Sequence, residues 1–222
     1  MKHILLLLLL VNLLFGLTNK EKEYIEERME TFELEWDRLL GQEYKNAIIK
    51  NFYKGRFFDL EWTAAAVTFI ESRGVKNRAN ANVVNNDLSS LDCGIMGSNT
   101  YYYLRYKGIE KPTLYQQVDA CYELNHNPYK SFLHFLNVMT DAMESRDIKK
   151  LKGSGRYWHY VWNYYNTGST TTLKGTYYLD IVAAIKVLKK KIDIVNDISF
   201  IGFTSNDMRY IAPVLAKWKQ KE

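Results

Sequence analysis

The sequence predicts an all-α domain, and three observations lead to that class. Apolar residues recur at helical spacing through most of the chain beyond residue 17. The longest interruption, residues 76–98, is rich in Asn, Asp, Ser and Gly, which indicates a long ordered loop. No internal repeat and no second, strand-rich region is evident. With 222 residues, the chain is long enough to build one complete hydrophobic core.

Residues 1–17 predict a signal peptide or an N-terminal anchor. Lys2 and His3 precede an apolar stretch over 4–17, which is about as long as a signal-peptide core and shorter than the roughly 20 residues that a membrane span needs. The pattern of small residues at a cleavage site is met only by Gly16, so an uncleaved anchor stays open as the alternative. We therefore expect an exported protein of the periplasm or cell envelope, in contact with a membrane only through this segment.

Helical periodicity places the remaining elements in order. A first amphipathic helix is predicted over residues 21–40 and a second over 59–72, where Gly74 supplies the positive φ that ends it. Beyond the loop, helices are predicted over 100–107, 114–124, 129–144, 157–165 and 177–192. Residues 149–156 and 168–175 are expected as a surface turn and a polar loop. A terminal helix over 205–219 carries Pro213 near its middle, which would kink or shorten it.

The second predicted helix carries a glutamate in its last turn. Glu71 follows an apolar run over 62–70, and a carboxyl group walled by such side chains resists ionisation because its charged form loses water. A carboxyl kept protonated near neutral pH can act as a general acid. The alternative is a helix-end carboxylate paired with Arg73 or Arg78.

Three segments in a fixed order connect this glutamate to a known family. They are Phe69–Gly74, Asp92–Met96 and Tyr164–Gly168. Over residues 62–187 the chain resembles the soluble lytic transglycosylases, especially the small type that accompanies type III and type IV secretion systems. In that family a helix ends in Glu-Ser, a Gly-Leu-Met-Gln-Ile-Asn segment and an Ala-Tyr-Asn-Ala-Gly segment follow, and a Tyr lies in the last core helix.

The resemblance implies a fold and a division of the chain. The fold would be a lysozyme-like helical domain with a substrate cleft between two lobes. Residues 59–192 would form the catalytic domain, preceded by an N-terminal helical segment over 18–58 and followed by a C-terminal helical extension over 193–222.

The resemblance also assigns the site residues. Glu71 would be the catalytic residue, and six residues would bind substrate: Ser72, Gly94, Met96, Tyr165, Asn166 and Tyr178. Ser72 either orients the glutamate or is a solvated helix end, and Met96 either lines the cleft or fills the core. Tyr177 competes with Tyr178, because one residue of shift separates them. Gly97 stands where the family usually has Gln, so the substrate contact of that amide is missing here.

The implied reaction needs a single carboxyl group. Glu71 would protonate the glycosidic oxygen between N-acetylmuramic acid and N-acetylglucosamine in peptidoglycan strands, then activate the 6-hydroxyl of the same sugar, leaving a 1,6-anhydro end. A goose-type lysozyme reaction is the alternative, with water as the nucleophile and Asp87 or Asp92 positioning it. A third possibility is a non-catalytic glycan-binding or scaffold component of a secretion or phage apparatus, because Gly97 departs from the family.

Composition excludes several other classes of function. The formal net charge is +5, which suits an anionic wall polymer or serves solubility, and the one dense basic run, Lys189–Lys191, is too short to predict nucleic-acid binding. Cys93 and Cys121, the only cysteines, either form a disulfide or stay as buried thiols. Two cysteines without a histidine at ligand spacing do not make a metal site. Neither a Gly-x-Ser-x-Gly nor a Gly-x-Gly-x-x-Gly motif occurs, and we expect no cofactor.

Overall fold

The computed structural model describes residues 17–39, 41–75, 77–85, 87–193 and 205–219. The predicted leader or anchor, apart from Leu17, lies outside these residues, as does the stretch 194–204 of the predicted C-terminal extension. Within the described part of the chain, no helix combines the length and apolar character needed to cross a membrane.

The protein is mainly helical with one small sheet. Its α-helices, in chain order, are α1 Asn19–Leu34, α2 Gln42–Gly55, α3 Glu61–Ser72, α4 Thr100–Tyr106, α5 Leu114–His126, α6 Pro128–Glu144, α7 Arg146–Lys149, α8 Tyr157–Thr167, α9 Tyr177–Lys191 and α10 Ser205–Lys219. A π-helical turn, Glu35–Leu39, extends α1, and a 3₁₀ turn, Arg56–Phe58, follows α2. Three strands, β1 Ala79–Val84, β2 Asp87–Cys93 and β3 Ser98–Asn99, form an antiparallel sheet in the order β1-β2-β3.

The sheet corrects the prediction of an all-α domain with a long loop over 76–98. β1 pairs with β2 over Ala79↔Cys93 to Val84↔Asp87, and a bulge lies between Asn82 and Val83. Most residues of β1 and several of β2 are exposed, so the alternation of apolar and polar residues that marks a half-buried strand is missing. Side-chain bonds such as Asn82 Nδ2 to Ser90 Oγ at 3.1 Å add to the backbone pairing of the two strands.

The helix predictions are largely confirmed, with corrections at two places. The predicted helix over 59–72 is α3, and it ends with positive φ at Arg73 (55°) and Gly74 (82°). Gly74 is required by a close approach, because a Cβ there would lie 2.9 Å from the carbonyl carbon of Tyr44. The separate helix α2 was not predicted. Nor does Pro213 shorten the terminal helix, since α10 continues through it.

The larger of two hydrophobic clusters surrounds α3. Ala64, Ala65 and Ala66 are fully buried, and their small side chains let α2 and α9 approach the helix closely. Phe69 packs edge-on against Phe32 of α1, with ring centroids 5.2 Å apart. Helix α3 therefore carries its last turn, and with it Glu71, out of a densely packed interior.

A second, smaller cluster anchors the sheet to α4 and α5. Cys93 at the end of β2 forms a disulfide with Cys121 of α5, with Cα atoms 5.2 Å apart. Tyr103, Leu104 and Leu124 are buried around this bridge. The choice that the sequence left open between a disulfide and two thiols is decided in favour of the disulfide.

Candidate active site

Glu71 lies where α3 ends and faces a pocket. Its Oε1 accepts a hydrogen bond of 2.6 Å from the hydroxyl of Tyr177, and the side chain is half-buried. Burial raises the pKa of Glu71 to about 7, because the charged form loses water, and the negative charge of Asp92 adds to this shift. The Tyr177 hydrogen bond and the charges of Arg78 and Arg73 act in the opposite direction. Near neutral pH this carboxyl is therefore present in both its protonated and its ionised form.

The pocket has a volume of about 490 Å³ and a mixed polar and aromatic lining. Two carboxyl groups, those of Glu71 and Asp92, contribute to it. Its uncharged polar lining includes Asn82, Ser90, Asn99 and Asn166, and its rings are those of Tyr102, Tyr106, His134, Tyr164 and Tyr165. Amide and hydroxyl groups beside aromatic faces are what a sugar chain requires of a binding site.

Two tyrosines hold Glu71 and the segment Gly94–Gly97 beside it, which we call the wall. Tyr165 and Tyr177 stack with centroids 6.4 Å apart and planes 20° apart. The Tyr165 hydroxyl donates to the backbone carbonyl of Met96 at 2.6 Å, while that of Tyr177 donates to Glu71. Burial and the nearby Glu71 charge raise the pKa of both phenols well above the usual value, so both stay protonated and act as donors.

Tyr178, predicted as a substrate-binding residue, is not among the residues that line this pocket. Its hydroxyl donates to Oε1 of Glu21 in α1 at 2.5 Å. Successive residues of an α-helix point about 100° apart, so when Tyr177 faces Glu71 its neighbour must face elsewhere. Tyr177, the alternative to Tyr178, is the tyrosine that contacts Glu71.

Gly97 packs directly against the acid. It has a φ of 59°, and a Cβ at this position would lie 2.9 Å from Cδ of Glu71, with Oε2 closer still. No side chain fits here without moving the carboxyl, so the amide of the family's Gln could not stand in this place. Gly97 itself lines the pocket, and its backbone stays in place through a hydrogen bond to the carbonyl of Gly94 at 3.1 Å.

Ser72 acts on the wall rather than in the pocket. Its buried hydroxyl donates to the carbonyl of Ile95 at 2.7 Å and accepts from the backbone N–H of Gly74 at 3.1 Å. It thereby ties the segment from Gly94 to Met96 to the end of α3. The structure places Ser72 among the residues that position the site, not among those that line it.

Gly94 and Met96 also build the wall without lining the pocket. Met96 is fully buried, and its backbone N–H donates to Ser131 Oγ at 3.2 Å. Gly94 has a φ of 74°, and a Cβ there would lie 3.0 Å from the carbonyl oxygen of Leu124. Of the two alternatives for Met96, core filling describes its side chain, while its backbone carbonyl holds Tyr165.

Tyr165 and Asn166 do line the pocket together with Glu71. Asn166 is exposed, in the last turn of α8, and Gly168 ends the helix with a φ of 67°. The loop that follows is organised by Asn163, a residue that the sequence did not single out. Its Nδ2 donates to the carbonyl of Thr172 at 3.0 Å, and its Oδ1 accepts from the N–H of Lys174 at 2.9 Å.

Asp92 is the second acid of the pocket. Its Oδ1 accepts a hydrogen bond of 2.9 Å from Nδ2 of Asn99, which also donates to Ser90 at 2.8 Å. This network orients the carboxylate at the end of β2, beside Gly97 and Glu71. Asp87, the other acid considered for positioning water, is exposed at the start of β2 and is not among the lining residues.

The arrangement combines a proton donor of raised pKa with groups suited to sugars. Within the described residues, no group of three or more His, Cys, Asp or Glu side chains is placed to hold a metal ion. Comparison of the chain with protein-family models, with curated proteins and with solved structures finds no match.

Proposed function

We propose that this protein cleaves a β-1,4 glycosidic bond in peptidoglycan strands, with Glu71 as its general acid. The observation that carries the proposal is the Glu71 carboxyl, whose pKa of about 7 leaves part of it protonated at neutral pH, facing a pocket and held by Tyr177. A catalytic acid works best when its pKa lies near the working pH. A carboxylate with no role beyond ending α3 would be destabilised by burial, because burial disfavours its ionised form.

The proposed substrate follows from the lining and from the resemblance. Asn82, Asn99 and Asn166 offer amides to hydroxyl and N-acetyl groups, and Tyr164 and Tyr165 offer ring surface to sugar faces. A lysozyme-like fold, with this pocket as part of a substrate cleft, belongs to the same proposal. Export to the periplasm or cell envelope would bring the protein to peptidoglycan, and the Cys93–Cys121 disulfide is typical of such compartments.

We infer a lytic transglycosylase reaction. Protonated Glu71 gives its proton to the glycosidic oxygen as the bond from C1 of N-acetylmuramic acid breaks, which releases the N-acetylglucosamine hydroxyl. The N-acetyl group of the substrate stabilises the positive charge at C1. Glu71, now ionised and supported by the Tyr177 hydroxyl, takes the proton of the 6-hydroxyl as that oxygen bonds to C1. The product carries a 1,6-anhydro ring, no water is consumed, and Glu71 ends protonated.

Hydrolysis of the goose-type lysozyme kind is the second candidate, because Asp92 lies in the same pocket. Its carboxylate is oriented by Asn99, and its charge acts on Glu71. In that reaction Asp92 would hold a water that attacks C1 in place of the 6-hydroxyl.

Mass spectrometry of the products separates the candidates. Purified sacculi are digested, and products one water lighter than reducing muropeptides are expected. A purely reducing set, together with loss of activity in Asp92→Asn, would favour hydrolysis. Soluble fragments from the unchanged protein but not from Glu71→Gln support an enzyme. If neither releases fragments yet both bind sacculi, the protein is a non-catalytic glycan-binding part, such as a scaffold in a secretion or phage apparatus.

A further inference from the structure

His134 is a pocket residue with an unsatisfied ring nitrogen. It lies on α6, only 4% of its surface is exposed, and its imidazole lines the pocket. Nδ1 is buried and has no hydrogen-bond partner among the described residues. Ser131, one turn earlier on the same helix, is by contrast bonded to the N–H of Met96 and to the hydroxyl of Ser98.

The ring is held in a fixed orientation by aromatic neighbours. Tyr103 and Tyr106 pack against it edge-on, with centroid distances of 5.7 and 5.4 Å. The Tyr106 hydroxyl donates to Asp141, also on α6, which fixes that tyrosine in turn. Burial lowers the pKa of His134 to about 4, because the charged imidazolium loses water, so the ring is neutral at neutral pH.

An unsatisfied buried polar group is destabilising, and a Phe ring would fill the same space without that cost. The imidazole therefore serves a purpose other than packing. Its neutral form has one donor and one acceptor nitrogen, and sugar hydroxyl and acetamido groups can pair with either. Because Nδ1 is enclosed, Nε2 is the nitrogen left to meet a ligand.

We propose that His134 is a substrate-contacting residue whose neutral imidazole forms a hydrogen bond with a hydroxyl or acetamido group of a sugar bound in the pocket. The proposal rests on the proposed function and adds a determinant of binding that no motif indicates. It assigns substrate recognition to His134 on α6 and leaves proton transfer to Glu71. Since the bond is neutral on both sides, its loss should weaken binding by about three- to tenfold.

The test measures binding where cleavage is switched off. In the Glu71→Gln background, calorimetry with soluble, uncrosslinked peptidoglycan strands should show a dissociation constant about three- to tenfold higher for His134→Phe. His134→Gln keeps one donor and one acceptor at similar reach and should restore most of the affinity. His126→Phe is the matched control, because His126 is exposed on α5, stacks on Tyr122 and does not line the pocket.

Stability and turnover distinguish recognition from a structural role. With Glu71 intact, His134→Phe should raise KM more than it lowers kcat, and its melting temperature should equal or exceed that of the unchanged protein. Unchanged affinity in His134→Phe, or a melting temperature several degrees lower without rescue by His134→Gln, would overturn the proposal for His134 alone. If the Glu71→Gln protein binds no strands and the unchanged protein cleaves none, the proposed function fails and this inference fails with it.

Discussion

The hydrogen bond between Tyr177 and Glu71 offers a quantitative test of the site. Tyr177→Phe removes the hydroxyl that donates to Glu71 Oε1 at 2.6 Å and keeps the ring that stacks on Tyr165. A hydrogen bond to an ionised group is worth about 1.5–3 kcal/mol. One pKa unit corresponds to about 1.36 kcal/mol, so losing this bond should raise the pKa of Glu71 by about one to two units.

The assay is a profile of kcat/KM against pH, from release of soluble fragments of peptidoglycan. The limb that falls with rising pH reports loss of the proton-donating form of Glu71. In the unchanged protein it should lie near pH 7, the pKa of the buried carboxyl. In Tyr177→Phe it should move by about one to two pH units toward alkali, and the maximum should drop because the carboxyl is less firmly held.

Tyr178→Phe is the matched control for this shift. It removes the neighbouring hydroxyl, which donates to Glu21 rather than to Glu71. We expect a loss of about 1 kcal/mol in the free energy of unfolding and an unmoved pH profile. A limb that stays in place in Tyr177→Phe, or an equal shift in both variants, would refute the reasoning.

Three further predictions concern Glu71, Gly97 and the disulfide. Glu71→Gln should lose about 10²- to 10⁴-fold in activity. The pKa of Glu71 is about 7 in the folded protein and 4.5 in the unfolded chain, so the unchanged protein loses stability as pH rises between these values. Relative to it, Glu71→Gln should gain up to about 3 kcal/mol in the free energy of unfolding at about pH 8 and nothing near pH 4. Equal urea midpoints for the two proteins at the higher pH would contradict this. Gly97→Ala should lower kcat/KM at least tenfold, since its Cβ would lie 2.9 Å from Glu71 Cδ. Gly108→Ala is the control for backbone strain, because Gly108 has a φ of 86° and a Cβ there would have no neighbouring atom within 4 Å. This variant should stay active. Replacing Cys93 and Cys121 by Ser should lower the free energy of unfolding by about 3–4 kcal/mol, given their separation of 28 residues; unfolding curves identical to those of the oxidised protein would show that the bridge contributes nothing.

Most of the helices, α2 excepted, could be predicted because apolar residues recur in them at helical spacing. In α1, Ile25 and Phe32 are fully buried and lie two turns apart, which is the spacing that the sequence displays. The strands could not be predicted, since Val83, Val84 and Leu88 are exposed, although β1 and β2 pair over their whole length. What makes this segment a sheet is hydrogen bonding between its own two halves, and such pairing leaves no apolar period in the sequence.

The sequence by itself determined the position of the acid, because an apolar run ending in a glutamate predicts a buried carboxyl of raised pKa. Only the tertiary structure decided what surrounds Glu71. Packing of α9 against α1 and α3 sets its rotation, and this rotation brings Tyr177 rather than Tyr178 to the carboxyl. Asp92 and His134 reach the pocket from β2 and α6, and Gly97 is confined by contact with the acid itself. Helical periodicity is visible within one segment of sequence. The contacts among these side chains depend on packing between distant segments, so no single segment predicts them.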